Sequence, residues 1–283
     1  MRYRIHHTTR FRYSQPIRES VMELRMQPRT DGTQRCLEFE LSLAPEARWE
    51  RYSDFLGNAV HHFDIPSVHE ELVVTADSLV DVQPDKDLPG SVSESAWARL
   101  DELKEEAEYW DWLHPSHFAH SSERLEAFAQ ELSIRREADP LTVVHRLSSG
   151  ITAALEYQPG ATQVDSPIDD CLKARKGVCQ DFAHVFIAVS RGLGIPSRYV
   201  SGYLFHRTKA ATGLGDDASH AWAEAYIPEV GWLGFDPSNQ MTAGSTHVRV
   251  AVGRDYQDVP PTRGVFRGSA ETELKVHVDV TKM

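Results

Sequence analysis

A chain of 283 residues with a net charge of −12 is long enough to bury a sizeable core, as one large domain or two smaller ones, and its acidity argues against affinity for nucleic acid or anionic membrane. No apolar run approaches the roughly 20 residues that span a bilayer, and the opening Met1-Arg2-Tyr3-Arg4-Ile5-His6-His7 has no apolar signal core, so a cytoplasmic location is expected. Cys36, Cys171 and Cys179 are too few and too scattered for a disulfide framework or a zinc site and read as reduced thiols.

The first third of the chain alternates with a period of two. Ile5, His7, Thr9, Phe11 and Tyr13 form one such series, Met22, Leu24 and Met26 a second, and Leu37, Phe39, Leu41 and Leu43 a third. Gly57-Asn58 makes a turn between the strand-like Tyr52–Phe55 and Val60–Phe63, and Leu72–Ala76 adds one more β segment. Residues 1–82 therefore read as an N-terminal β-sandwich domain. The pairs His6-His7 and His61-His62 suggest a metal only at first sight. Adjacent residues on a strand face opposite ways, so one histidine of each pair is expected to face the interior and no metal site is expected.

Residues 83–92 read as a linker, charged and bracketed by Pro84 and Pro89, after which the period turns helical. Trp97, Leu100, Leu103 and Ala107 make one apolar face, and the acidic run from Asp101 to Glu108 is its solvated side. Ser121-Ser122 caps a second helix carrying Leu125, Phe128 and Leu132, and Asp139-Pro140 opens a third with Leu141, Val144, Leu147, Ile151 and Leu155. Ser166-Pro167 starts a short fourth helix expected to run to Gly177, which leaves Cys171 buried and inert.

In Lys176-Gly177-Val178-Cys179-Gln180-Asp181-Phe182-Ala183-His184 a cysteine sits just past a glycine at a helix start. Ala183, Phe186, Val189 and Leu193 continue the helix until Gly192, Gly194 and Pro196 stop it. In a first turn the unpaired backbone N–H groups and the helix dipole favour a thiolate, as a nucleophile requires. A lone cysteine there is more commonly a small buried hydrophobe, so a catalytic reading depends on the residues C-terminal to the helix. Ser197–Leu204 reads as a strand, Thr208–Asp217 as a polar loop, Ser219–Tyr226 as a second strand, and Trp232–Pro237 as the return after a turn at Pro228–Gly231. Cysteine, histidine and aspartate thus arrive on a helix start and two consecutive strands, the elements of a nucleophile, a base and a group that fixes the base's tautomer. Hairpin parity then matters. A three-residue loop pairing Ile227 with Gly231, or a bulge of equal effect between Trp232 and Asp236, sets Asp236 on the His220 face, whereas an even, unbulged hairpin turns the carboxylate away.

Gly177–Ala183, Gly194–Tyr203, Ala218-Ser219-His220-Ala221-Trp222 and Gly231–Pro237 together resemble the core of the transglutaminase-like superfamily. The opening region and Gly253-Arg254-Asp255-Tyr256, Pro260-Pro261 and Gly264 are similar to its bacterial branch with an added N-terminal β domain. The resemblance implies an α+β fold, a papain-like core of helices packed on an antiparallel sheet, with residues 93–283 as a catalytic domain carrying a C-terminal strand extension. It implies Cys179 as nucleophile, His220 as base and Asp236 as orienting carboxylate. The expected partner is a peptide or protein with an amide acyl donor, attacked to give a thioacyl intermediate without a cofactor. Water as second substrate makes the chain a peptidase or amidase, and an amine makes it a cross-linking acyltransferase. A non-catalytic binding module is disfavoured because all three residues are present. No EF-hand-type loop suggests calcium.

For the oxyanion the backbone N–H of Cys179 is the natural donor, and Gln163, Tyr157 and Gln180 are the choices for the second. Ser219, Trp222 and Tyr256 are candidate cleft residues, with Trp232 a wall or core residue. Arg198 is expected to pair with an acid such as Asp181, and His184 to lie on the solvated side of its helix.

Overall fold

The computed structural model describes residues 1–84, 87–205 and 219–283, so the loop expected at Thr208–Asp217 lies outside the described residues. The alternating opening becomes one long strand, β1 (Arg2–Leu24), followed by β2 (Gln34–Ala44), β3 (Trp49–Ser53), β4 (Ala59–Ile65) and β5 (His69–Val82). The first half of β1 pairs with β5 from Arg2 to Arg12, and its last residues, Ser20–Leu24, pair with β4. Between them the register shifts and Glu19 takes a left-handed φ of 53°, so the strand bends. One sheet is thereby folded onto itself: Leu41, Leu72, Val74 and Ala76 from one half pack against Met22, Leu24, Phe63 and Ile65 from the other. His7 and His61 face inward at 1% exposure each, as strand alternation requires. The series at Leu37 is interrupted by a bulge between Cys36 and Glu38, which leaves Leu37 exposed.

Next come α1 (Ala96–Leu103), a short α2 (Trp110–Leu113) that periodicity does not suggest, α3 (Glu123–Glu131) and α4 (Pro140–Ala154). Ser122 Oγ accepts from the Leu125 N–H at 3.1 Å, and Asp139 Oδ1 from the Thr142 N–H at 3.1 Å. Such caps contribute about 1 kcal/mol each. After β6 (Glu156–Tyr157) comes α5 (Ile168–Ala174), which ends three residues before the expected Gly177 because Arg175 turns left-handed, φ 56°, and releases β7 (Lys176–Gly177) to pair with β6. Then α6 (Cys179–Gly192) runs buried across the sheet formed by β8 (Ser197–Leu204), β9 (His220–Ile227), β10 (Gly231–Asp236), β11 (Met241–Ala243) and β12 (His247–Gly253), in the order β11-β10-β9-β8-β12.

The last two strands, β13 (Thr262–Arg267) and β14 (Thr272–Lys282), are not an extension of that sheet. Both return to β1, β14 pairing from Tyr13↔Thr272 to Tyr3↔Lys282, so the expected C-terminal extension of the second domain belongs to the N-terminal sandwich. Side-chain amides join the two parts. Asn58 Nδ2 donates to the Val252 carbonyl and its Oδ1 accepts from the Val252 N–H, both at 2.8 Å, and Gln34 does the same at Arg249, also at 2.8 Å. Each amide occupies hydrogen-bonding groups along β12, as a neighbouring strand would. Tyr3, Ile5, Val80 and Val82 share one core with α4, α6 and β9. Among the described residues no helix is long and apolar enough to cross a membrane.

Candidate active site

Cys179 is the first residue of α6, where its N–H has no intrahelical acceptor. Asp181, two residues on, turns its carboxylate back: Oδ2 accepts from the Val178 N–H at 2.8 Å and from Thr162 Oγ1 at 2.6 Å. Gly177 lets this happen, since a Cβ there would stand 2.8 Å from both Asp181 Oδ2 and Cys171 Sγ. The glycine before the cysteine is thus a packing requirement of the helix start. Cys171, fully buried, has its thiol pushed up to about 12 by burial and the nearby Asp181 carboxylate, in keeping with an inert sulfur.

The β9–β10 hairpin has the odd loop. Gly231 pairs with Ile227 around Pro228–Val230, with Gly231 at φ 91°, and the register continues to Phe235↔Ala223. Asp236 consequently lies on the His220 face, and His220 Nε2 donates to Asp236 Oδ2 at 2.7 Å. Cys179 lines the same cleft as His220, near enough for its sulfur to favour the charged imidazole. Burial works against charge on this imidazole, yet Asp236 and Cys179 together hold it up to about 10. Asp236 is 0% exposed. Its burial is outweighed by His220 and His247, which keep the carboxyl well below the usual range. Ser238 Oγ at 2.7 Å and Asn239 Nδ2 at 2.8 Å complete its cradle.

His247 carries no sequence signal. Its Nδ1 accepts from the Gly244 N–H at 3.3 Å, which leaves the proton on Nε2 to be donated to Asp236 Oδ2 at 3.2 Å. His220, Asp236 and His247 bring ligand-type atoms within 4.8 Å of one another. Gathering them on a cation means giving up both histidine–carboxylate hydrogen bonds, so the arrangement fits a proton relay better than a metal cage.

A cleft of about 500 Å³ opens over Cys179 and His220, lined also by Tyr157, Gln180, Ser219 and Tyr256. Trp222 is not a cleft residue. It is 1% exposed, stacks on His220 at 6.1 Å and lines a separate cavity with Trp232. Of the oxyanion choices, Gln163 is exposed and outside the cleft lining, and the Gln180 amide is spent on the Val164 carbonyl at 2.8 Å. Tyr157 stays in place. Burial, then the nearby Cys179 and Asp236, raise its hydroxyl, which remains protonated. Arg198 pairs with buried Glu224 at 2.6 Å and lies 4.1 Å over Trp232, not with Asp181, whose carboxylate is committed to the helix start. His184 is buried at 1% exposure, accepts from the Tyr256 N–H at 3.2 Å and stacks on Phe118, so α6 has no solvated side there. Burial holds its imidazole well below the usual range.

Residues 3–81 match the family model for the bacterial transglutaminase-like N-terminal region, and residues 126–237 match that of the transglutaminase-like superfamily. An uncharacterized protein of Mycobacterium leprae is 35% identical over 100% of this chain and 99% of its own length. The chain belongs to the transglutaminase-like superfamily. Within that superfamily it is also similar to a Pseudomonas aeruginosa protein-glutamine gamma-glutamyltransferase, 33% identical over 43% of this chain and 19% of the other. The crystal structure of a candidate cysteine protease from Cytophaga hutchinsonii superposes with a TM-score of 0.78, at 23% identity, over 99% of this chain and 90% of that one, so the transglutaminase-like fold extends over both parts.

Proposed function

We propose that the protein is a thiol-dependent amide hydrolase, a peptidase or amidase, with Cys179 as nucleophile, His220 as base and Asp236 as orienting carboxylate. The observation that supports this most directly is that Cys179 and His220 line one cleft while His220 is hydrogen-bonded behind it to buried Asp236 at 2.7 Å. The sulfur attacks the amide carbonyl and its proton resides on His220. Collapse of the tetrahedral adduct breaks the C–N bond, His220 returns the proton to the departing amine, and a thioester remains on Cys179. His220 then takes a proton from water, whose oxygen displaces the sulfur and releases the acid. The backbone N–H of Cys179 and the Tyr157 hydroxyl are the donors to the oxyanion, one from the free first turn of α6 and the other from the β6–β7 bridge beside it.

The similarity to a gamma-glutamyltransferase supports a second reading, in which an amine takes the place of water. Both begin with the same thioester, and hydrolysis is preferred because water competes in any cleft not built to exclude it. Mass spectrometry of a peptide library incubated with the protein, with and without added amine, separates them: new carboxyl ends mark hydrolysis, and amine adducts mark transfer. An unmodified library, together with no selective labelling of Cys179 by a thiol probe, refutes both.

A further inference from the structure

The wall of the cleft opposite the thiol comes from the N-terminal sandwich, not from the superfamily core. β1 and β14 pair in a register that places Thr9 opposite Val276, His7 opposite Val278 and Ile5 opposite Val280. All six side chains share one face of the sheet by strand parity. At one end this face is sealed in the common core by Ile5. Beyond it, His7, Thr9, Val276 and Val278 line the cleft, with Leu204 and Val164 on adjoining walls.

We infer that the acyl donor carries a bulky apolar side chain beside the scissile carbonyl, seated on the face formed by β1 and β14. This rests on the reading of Cys179 as the nucleophile and names the substrate class of that same site. The imidazole on this wall is chemically closed. His7 Nδ1 is bonded to the Tyr203 hydroxyl at 2.8 Å and Nε2 to Thr9 Oγ1 at 3.0 Å, so neither nitrogen is left for a ligand. Burial, with His6 and His277 near it, lowers this imidazole to about 4, and it is neutral at physiological pH. Among the described lining residues there is no lysine or arginine, and Asp279 is the one carboxylate. An acidic donor side chain on this wall would lose its hydration with no lysine or arginine to pair with, whereas an aliphatic or aromatic one would bury apolar surface against valine and leucine. The size of the cleft suits a few residues of extended peptide. The sandwich thereby has a functional part: it is the selecting half of a site whose chemistry sits on the other half.

The experiment uses the whole protein and peptidyl chloromethyl ketones identical except for leucine, phenylalanine or glutamate beside the reactive group. The alkylation rate of Cys179 is read by mass spectrometry, each rate divided by that of iodoacetamide in the same protein. Leucine and phenylalanine probes should react roughly tenfold or more faster than the glutamate probe. Val276→Lys, at a half-buried position on the wall, should cut that ratio about tenfold by admitting glutamate, and Val276→Leu should keep it. Equal leucine and glutamate rates in the unaltered protein, or an unchanged ratio in Val276→Lys, overturn the inference while leaving selective iodoacetamide labelling of Cys179 intact. If iodoacetamide itself does not single out Cys179, the thiol-enzyme reading falls, and this inference with it.

Discussion

Replacing Asp236 by asparagine keeps the size of the side chain and an acceptor oxygen for Ser238 and removes the charge that faces His220. His220 is held up to about 10 against an ordinary value of 6.5, and burial alone would push it the other way. Without the carboxylate the imidazole falls to its ordinary value or lower, a change of about 3 or more pH units and on the order of 4 kcal/mol less stabilisation of the imidazolium. At pH 8 the charged form should then drop from nearly all molecules to a few per cent or fewer. The assay is iodoacetamide alkylation of Cys179 followed by mass spectrometry across the neutral and alkaline range, beside turnover of a peptide substrate found in the library. At pH 8 the unaltered protein should alkylate at Cys179 faster than Asp236→Asn, which lacks the imidazolium there. The difference should narrow above about pH 10, where the imidazole of the unaltered protein is neutral as well. Turnover should fall by roughly three to four orders of magnitude, the loss expected when a triad histidine is no longer held in its tautomer. An Asp236→Asn protein that folds, alkylates at the unaltered rate at pH 8 and turns over within about threefold of the original refutes the assignment.

The same pair predicts a pH dependence of stability. A raised imidazole contributes fully below about 6.5 and loses its contribution as pH rises towards about 10, and a depressed carboxyl contributes above about 4 and loses its contribution on acidification, so the unfolding free-energy gap between the protein and Asp236→Asn should be largest between about pH 4 and 6.5 and narrow on both sides. A gap that is constant with pH contradicts it. His247→Phe keeps a ring against Trp222, 5.0 Å away, and removes one donor to Asp236; kcat should fall roughly tenfold with KM little changed, and His247→Gln should recover part of it. Glu224, 2% exposed, takes Arg198 at 2.6 Å and Arg249 at 3.5 Å, so Glu224→Ala strands Arg198, leaves Arg249 with Asp31 at 2.7 Å, and should cost about 3 kcal/mol in urea unfolding; a loss under about 1 kcal/mol would show that the pairs are solvated. Gly202→Ala would set a Cβ 2.1 Å from the Val248 carbonyl and 2.7 Å from the Trp222 ring, and should give a protein that fails to fold or melts at least about 10 °C lower.

Much of this molecule is written in local chemistry. The helix starts at Ser122 and Asp139 come from side chains that reach the first-turn N–H groups, and the two-residue alternation of β1 comes from the pleat, whatever the strand later pairs with. The hairpin register is local in the same sense: an odd loop and a glycine free to take φ 91° settle which face Asp236 occupies, and with it the meeting of Cys179, His220 and Asp236. What the sequence could not determine is the choice among distant partners. Nothing within β14 distinguishes pairing with β1 from continuing the other sheet. That choice is made by the backbone edge of β1 left open opposite β5, which only the folded sheet presents, and it is also what builds the apolar wall of the cleft. Arg198 meets Glu224 because both face one side of adjacent paired strands, although Asp181 is an equally good acid by composition. His184 is buried because α6 is covered all round, a property of its neighbours and not of its own periodicity. His247 is one of 14 histidines and became the second histidine to donate to Asp236 only when β12 paired with β8, since side chains far apart in the chain are brought within hydrogen-bonding distance by packing alone.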